Sequence, residues 1–387
     1  MRLTYTPEQH AFRAEIRSWL AANKPADPLT TLECAEGYHQ HVAWERQLAS
    51  GNWGMVTWPK EYGGRGLDLV QWLIFEEEYW GAGAPLRANQ NGIFLLGPTI
   101  MEYGSDAQKA RFLPPMAAGD VIWAQAWSEP GAGSDMAAIK ATARREGDHY
   151  VINGQKTWSS RASFADWGFG LFRTEEGSQR HKGLSFILFD LNSPGVTRRP
   201  IRQLHGHPGF AELFFDDVRV PVDNRLAGEG EGWNVAMATA GFERGLMLRS
   251  PGRFQATARR LVELYRRHQA DAAPSAREAV AKAWMDAQAY AYNTYAVVAK
   301  IMAGGSIGAE ASVNKIFWSE LDRSMHRTAM QLLGAAAELR HFADGADNAW
   351  LEGYICSLSG PIYAGSNEIQ RNITAERLLN MPRVGKG

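Results

Sequence analysis

The chain has 387 residues, 45% hydrophobic and 21% charged, a length and balance that fit a soluble globular protein of two or three lobes. A formal net charge of -1 gives no electrostatic reason for a nucleic-acid or anionic-membrane partner. No apolar run approaches the roughly 20 residues of a membrane span, the first residues lack the apolar core of a signal peptide, and Cys34 and Cys356 have neither metal-ligand nor CxxC spacing, so a reduced, cytoplasmic protein is expected.

The first third carries helical periodicity. Thr6-Pro7-Glu8-Gln9 forms a capping box with proline at the first helical position, and Phe12, Ile16, Trp19 and Leu20 follow at helical spacing. A turn region over residues 58–66 precedes further helical patterns from about Val70 and over residues 105–113, where Pro114-Pro115 is expected to end the run. The adjacent Glu76, Glu77 and Glu78 point in different directions on a helix, so a solvated charge run is expected rather than a metal site.

From about Val121 to Ala227 the texture changes to strands. Tyr150 and Ile152 alternate with other residues before Asn153-Gly154, a hairpin signal. Residues 184–189 and 212–215 are further strand candidates, Ser193-Pro194-Gly195 is a turn, and the polar stretch 174–182 reads as a surface loop. Long helical patterns return after Gly228-Glu229-Gly230-Glu231-Gly232, roughly over 233–248, 254–268, 276–302, 309–333 and 366–379. Strands segregated between helical blocks indicate an α+β protein rather than a doubly wound parallel sheet. The expected segments are a helical domain over 1–120, a β domain over 121–228 and a helical bundle over 229–387.

Two segments carry the chemistry. Residues 127–135 read Trp-Ser-Glu-Pro-Gly-Ala-Gly-Ser-Asp, with two serines flanking glycines that let backbone N–H groups approach a ligand. Residues 153–160 read Asn-Gly-Gln-Lys-Thr-Trp-Ser-Ser, adding an aromatic ring and two more hydroxyls. Together they suggest two walls of a site for a large, flat, polar-edged cofactor.

These walls, the α–β–α order and residues 362–373 (Ile-Tyr-Ala-Gly-Ser-Asn-Glu-Ile-Gln-Arg-Asn-Ile) resemble the acyl-CoA dehydrogenase family over nearly the whole chain. Residues 128–135 are similar to its T-E-P-x-A-G-S-D motif, and Trp158 and Ser160 fall on its W-x-T/S positions. The resemblance implies a β-barrel-like middle domain, a C-terminal four-helix bundle, and FAD held where these two meet. It also implies oxidation of an acyl-CoA thioester to the trans-2-enoyl form: a carboxylate removes the α proton, hydride passes from the β carbon to flavin N5, and an electron-transfer flavoprotein takes the electrons. Carried over by position, Gln125, Trp127, Ser128, Gly133, Ser134, Trp158 and Ser160 contact flavin or thioester, and Ser366 and Glu368 lie toward the adenosine side.

Many family members carry their base in a Y-E-G-T segment, but this chain has Tyr363-Ala364-Gly365-Ser366 there. Other members place the base in an E-R dipeptide on a bundle helix, and Glu243-Arg244 matches it. On a helix Glu243 shares its face with Ala236, Thr239, Ala240, Leu246 and Met247, an apolar stripe expected to desolvate the carboxylate and raise its pKa toward that of a general base. Ala364 retains the backbone N–H that the family directs at the thioester oxygen, and Arg244 is expected either to bind substrate or to hold the C-terminal loop. Ser134 is a further substrate contact, and residues 87–96 are expected to bound the acyl pocket.

The chain departs from the family in lacking a clear R-x-x-F-G segment after Arg253, and Gln331–Leu333 followed by Gly334 and three alanines replaces its nucleotide-holding turn. Members acting on steroid side chains or other bulky thioesters look similar here, including residues 317–321 (Phe-Trp-Ser-Glu-Leu), and several assemble as heterotetramers of unlike chains. A homo- or hetero-oligomer, dimer or tetramer, is therefore expected. Two alternatives stand beside the dehydrogenase: an oxygen-using relative (acyl-CoA oxidase or flavin monooxygenase), and a non-catalytic partner subunit.

Overall fold

The computed structural model describes residues 4–244, 249–270, 272–342 and 348–382. Packing gathers the chain into two units that interleave along the sequence. One holds Met1–Ala22, Leu69–Ala84 and Arg244–Gly387, and the other Asn23–Asp68 and Pro85–Glu243.

The helical unit begins with α1 (Pro7–Asn23). Its capping box forms as the sequence predicts: the Thr6 N–H donates to Gln9 Oε1 at 2.9 Å and the Gln9 N–H to Thr6 Oγ1 at 3.3 Å. Phe12, Ile16 and Leu20 form its buried stripe. Helix α3 (Leu69–Gly81) follows, with α7 (Pro251–His268), α8 (Pro274–Met302), α9 (Glu310–Leu333), α10 (Ala349–Ser357) and α11 (Asn367–Ile373). A core of Phe254, Leu261, Tyr290, Trp318, Leu321 and Met325 joins α7, α8 and α9. Helix α3 lies close to α7: a Cβ at Gly252 would come within 2.5 Å of the Glu76 carbonyl oxygen, so glycine is required there.

The acidic run on α3 is not a solvated face. Glu76 is buried and accepts from Trp80 Nε1 at 2.8 Å. Glu77 meets Arg13 at 2.7 Å and also accepts from the Tyr295 hydroxyl. Glu78 accepts from Arg13 at 2.8 Å and Arg17 at 2.9 Å. Burial works to raise the Glu78 carboxyl, yet the two guanidinium groups hold it below its ordinary value. These carboxylates fasten α3 to α1 and α8.

The other unit is built on an eight-stranded sheet among the described residues: β1 (Trp123–Ala126), β2 (Thr142–Glu146), β3 (His149–Ser160), β4 (Trp167–Arg173), β5 (Leu184–Asp190), β6 (Val196–Ile201), β7 (Phe210–Pro221) and β8 (Arg225–Leu226). The order is β6-β7-β3-β2-β4-β5-β8, with β1 parallel to β4. Strand β5 is buried almost throughout, whereas β6 presents Arg198 and Arg199 along an edge. The core joins Phe172, Phe189, Phe215, Tyr150 and Ile152 to Tyr38 and Val42 of α2 (Ala35–Ser50).

Asn153-Gly154 lies inside β3 and does not form the hairpin turn. The turn between β2 and β3 spans residues 146–149, closed by the Glu146–His149 pair. Asn153 instead exchanges hydrogen bonds with Asp217 across the sheet, donating from Nδ2 at 2.9 Å and accepting the Asp217 N–H at 3.0 Å. Gly154 takes φ +135 at a register shift, and a Cβ there would meet that of Ala141 at 2.7 Å. Helix α5 (Asp106–Ala118) likewise runs on through Pro114 and Pro115. Burial of Phe112, Leu113, Met116 and Ala117 sustains it until Gly119, at φ +75, caps it.

Residues 87–96 are positioned by buried polar groups. Arg87 pairs with Glu45 at 2.7 Å and donates to the Gly54 carbonyl at 2.9 Å. Asn89 donates to the Met116 and Val121 carbonyls and accepts the Trp123 N–H. A π-helical turn over Asn91–Leu96 then leads into α4 (Gly97–Tyr103). No helix among the described residues is long and apolar enough to cross a membrane.

One buried ion pair fastens the loop after β1 to the sheet. Lys156, fully buried on β3, donates to Glu129 at 2.8 Å and to the Leu171 carbonyl at 2.7 Å, with its ammonium 4.9 Å from the centre of the Phe172 ring. Replacing Lys156 by Met strands a buried carboxylate and should lower stability by about 3–5 kcal/mol. Burial also brings the Lys156 ammonium down from 10.5 to about 8. Between those values the unfolded chain binds a proton that the folded chain has released, so this group adds stability as pH rises. Denaturant melts of wild type and Lys156→Met at about pH 7 and about pH 10 should show the gap between them widening at the higher pH; a narrowing gap would refute the assignment.

Candidate active site

The loop following β1 is shaped by its own backbone and by Glu129. Glu129 and Ala132 exchange two backbone hydrogen bonds of 3.0 and 3.1 Å, closing a tight turn over Pro130-Gly131. The Glu129 carboxylate accepts the N–H groups of Lys140 and Ala141 as well as the Lys156 ammonium. The Thr157 N–H donates to the Ser128 carbonyl at 2.8 Å. The two motif segments are thereby brought together. Beyond the turn, Asp135 forms a two-pronged pair with Arg180, both contacts at 2.8 Å.

Gly133 and Ser134 are exposed, and Ser128 and Gln125 are partly so. Neither Gly131 nor Gly133 has a positive φ, and a Cβ at either would meet nothing within 4 Å. Protein packing therefore does not explain these glycines, and their backbone is open to an approaching group.

Trp158 is presented outward by an irregularity in β3. The pairing with β7 shifts register between Lys156 and Ser159, and Trp158 takes φ +57. For an L-residue with a bulky side chain this conformation costs about 1–2 kcal/mol. Its ring is 60% exposed, resting edge-on against Phe210 at 6.0 Å. The neighbouring Ser159 hydroxyl is buried with no partner among the described residues, and Ser160 is half-buried. Trp127 sits almost wholly inside, edge-to-face with Phe169 and Phe186 at 6.4 Å, and its Nε1–H finds no acceptor among the described residues. An outward aromatic face, an unpaired indole donor and open glycine backbone fit the FAD that the sequence resemblance implies.

Helix α6 (Gly232–Arg244) carries Glu243 and Arg244 in its last turn; their side chains, and residues 245–248 with Leu246 and Met247, lie outside the described residues. The positions that share the Glu243 face, Ala236, Thr239 and Ala240, are buried. Thr239 donates to the Val235 carbonyl and shares a 2.8 Å hydrogen bond with the Thr99 hydroxyl.

Ala364, Ser366 and Glu368 form a second group, within the helical unit. Ala364 and Gly365 both take left-handed conformations, at φ +56 and +78. Ser366 caps α11 by accepting the Ile369 N–H, and the exposed Glu368 carboxyl is held low by its own backbone N–H and by Ser366. Lys315, buried on α9, donates to Asn367 at 2.8 Å, and Gln370 donates to the Ala364 and Gly365 carbonyls. Sequence pattern alone does not single out Glu129, Lys156, Asn367 and Gln370. Their polar side chains lie within segments 127–135, 153–160 and 362–373, and that position is the signal the sequence offers.

Three family models match the chain: acyl-CoA dehydrogenase N-terminal domain over residues 6–120, middle domain over 124–218 and C-terminal domain over 230–379. Acyl-CoA dehydrogenase IpdE1 of Mycobacterium tuberculosis is 41% identical, with 97% of this chain and 98% of the relative covered. The human mitochondrial short-chain specific acyl-CoA dehydrogenase is 31% identical over 84% of this chain and 79% of its own. Among solved structures, the Tcur3481-Tcur3483 steroid ACAD superposes with a TM-score of 0.88 at 28% identity, covering 99% of this chain and all (100%) of that one. The ChsE4-ChsE5 complex from Mycobacterium tuberculosis gives 0.82 at 32% identity, with 99% and 100% covered. The chain therefore belongs to the acyl-CoA dehydrogenase family, whose members use FAD to dehydrogenate acyl-CoA thioesters.

Proposed function

We propose that this enzyme removes the α proton of a bulky acyl-CoA thioester with Glu243 as its base. The observation that carries the reading is the buried face of α6: Ala236, Thr239 and Ala240 lead toward the Glu243 position, while Ala364 leaves no carboxylate at the alternative one. A base must also be matched by donors at the thioester oxygen, where enolate charge develops. The Ala364 N–H supplies one, and Ser134 is placed to contact substrate from an exposed loop. Arg244, beside the base, binds the substrate or steadies the C-terminal loop.

When bound, FAD would supply the acceptor for the hydride that leaves the β carbon. Gln125, Trp127, Ser128, Gly133, Ser134, Trp158 and Ser160 hold it, with Ser366 and Glu368 toward its adenosine side. Glu129 and Lys156 act on this group indirectly, by fixing the loop against β3. The likeness to a structure named a steroid ACAD and to the two-chain ChsE4-ChsE5 complex supports a bulky acyl group and an assembly with a second, unlike chain. An electron-transfer flavoprotein as acceptor, a role in lipid β-oxidation and a cytoplasmic location complete the reading.

Glu243→Gln should lower the rate at which acyl-CoA bleaches the flavin by about 10²–10⁴-fold while the protein stays yellow; near-normal bleaching would overturn the assignment of the base. Trp158 gives a second check. Trp158→Gly removes an exposed ring and suits the left-handed backbone, so the apoprotein should melt no lower than wild type. Its Kd for FAD, measured by fluorescence on reconstitution, should rise about 3- to 10-fold, as expected for loss of one aromatic contact. An unchanged Kd would exclude Trp158 from the flavin site.

A further inference from the structure

We propose that Gln370 is a positioning residue that aims the Ala364 N–H at the thioester carbonyl; the inference rests on the reading of Ala364 as a donor. Gln370 lies fully buried on α11, and its Nε2 donates to two successive carbonyls, Ala364 at 3.0 Å and Gly365 at 3.2 Å. These two peptides follow residues held in left-handed conformations, one of them an alanine, which does not adopt that conformation unaided. The grip thus stabilises a backbone shape that the local sequence disfavours.

The rest of the loop is fixed separately. At its base the Asn367 N–H donates to the Pro361 carbonyl at 2.8 Å, while the Asn367 side chain joins Lys315, Ser319 and Glu320 on α9. On its other side Arg249 lies over the Tyr363 ring, 5.4 Å from its centre, and donates to the Tyr363 hydroxyl at 3.2 Å. Between these anchors the Ala364 N–H makes no backbone hydrogen bond among the described residues. Among the described residues, Gln370 is the side chain whose hydrogen bonds grip the Ala364 and Gly365 carbonyls.

Stability alone does not account for this glutamine. Its Oε1 is buried with no partner among the described residues, and an unpaired buried acceptor destabilises a fold. An apolar side chain of equal length would remove that penalty and lose the grip. Gln370→Met therefore separates the two roles, and Gln370→Glu, which sets acceptors against the two carbonyls, gives a second variant of the same length.

The test uses the full chain loaded with FAD, together with its partner chain if assembly requires one. Four quantities are read: the thermal midpoint, kcat and KM for a saturated acyl-CoA, and the carbonyl stretch of a bound trans-2-enoyl-CoA by isotope-edited vibrational spectroscopy. In Gln370→Met the midpoint should hold, KM should stay within about twofold, and kcat should fall about 10- to 100-fold, as expected when an oxyanion donor is misplaced. The carbonyl stretch, lowered on binding to wild type, should return toward its free value in both variants. A lowered stretch that survives in both variants overturns the grip alone. A wild-type complex with no lowering overturns the Ala364 donor and the grip with it.

Discussion

The Glu129–Lys156 pair governs how the loop after β1 is held against the sheet. A lysine with no exposed surface is tolerable only where each proton of its ammonium finds an acceptor and a counter-charge stands nearby. Here Glu129 supplies the charge and the Leu171 carbonyl a further acceptor. Glu129 in turn gathers the N–H groups of Lys140 and Ala141, so one carboxylate coordinates the loop after β1, the start of β2 and the middle of β3. The outward turn of Trp158 begins two residues beyond that lysine. A strand anchored so firmly at one residue can hold the next but one in a conformation it would not adopt alone.

The helical unit relies on charge in a different manner. Arg13 and Arg17 of α1 reach carboxylates on α3, and Tyr295 of α8 reaches one of the same carboxylates. Polar groups thus set which faces of these helices meet, while Phe254, Leu261, Trp318 and Met325 fill the space among α7, α8 and α9. The apolar core is permissive about register, and the ion pairs are not.

What could be read from the amino-acid order alone follows the range of the interactions involved. The Thr6–Gln9 capping box spans four residues and was legible in full. The two motif segments are legible as a pattern, but the structural part Glu129 plays within its segment depends on a lysine 27 residues away. Asn153-Gly154 misled because a hairpin signal is local, whereas Asn153 spends its side chain on Asp217 across the sheet, 64 residues along the chain. Glu76, Glu77 and Glu78 looked solvated because Arg13 and Arg17 lie more than 60 residues upstream. Pro114-Pro115 was weighed on backbone hydrogen bonds alone, and burial of the surrounding side chains outweighed that loss. The position of Trp158 was legible; its left-handed backbone was not, since nothing local to that tryptophan asks for it.

The interleaving of the two packing units bears on how the chain first folds. Helices α1 and α3 leave the ribosome early, yet α3 packs on α7 and its Glu77 awaits the hydroxyl of Tyr295. Such long separations between contacting segments raise contact order and slow folding. The sheet unit, made of Asn23–Asp68 and Pro85–Glu243, has nearly all its partners in hand once Glu243 has emerged. During synthesis, then, the sheet can close first while the face of α3 that packs on α7 stays uncovered until α7 arrives. For a nascent chain this is an interval of exposure to aggregation, and the place where chaperone binding would matter most.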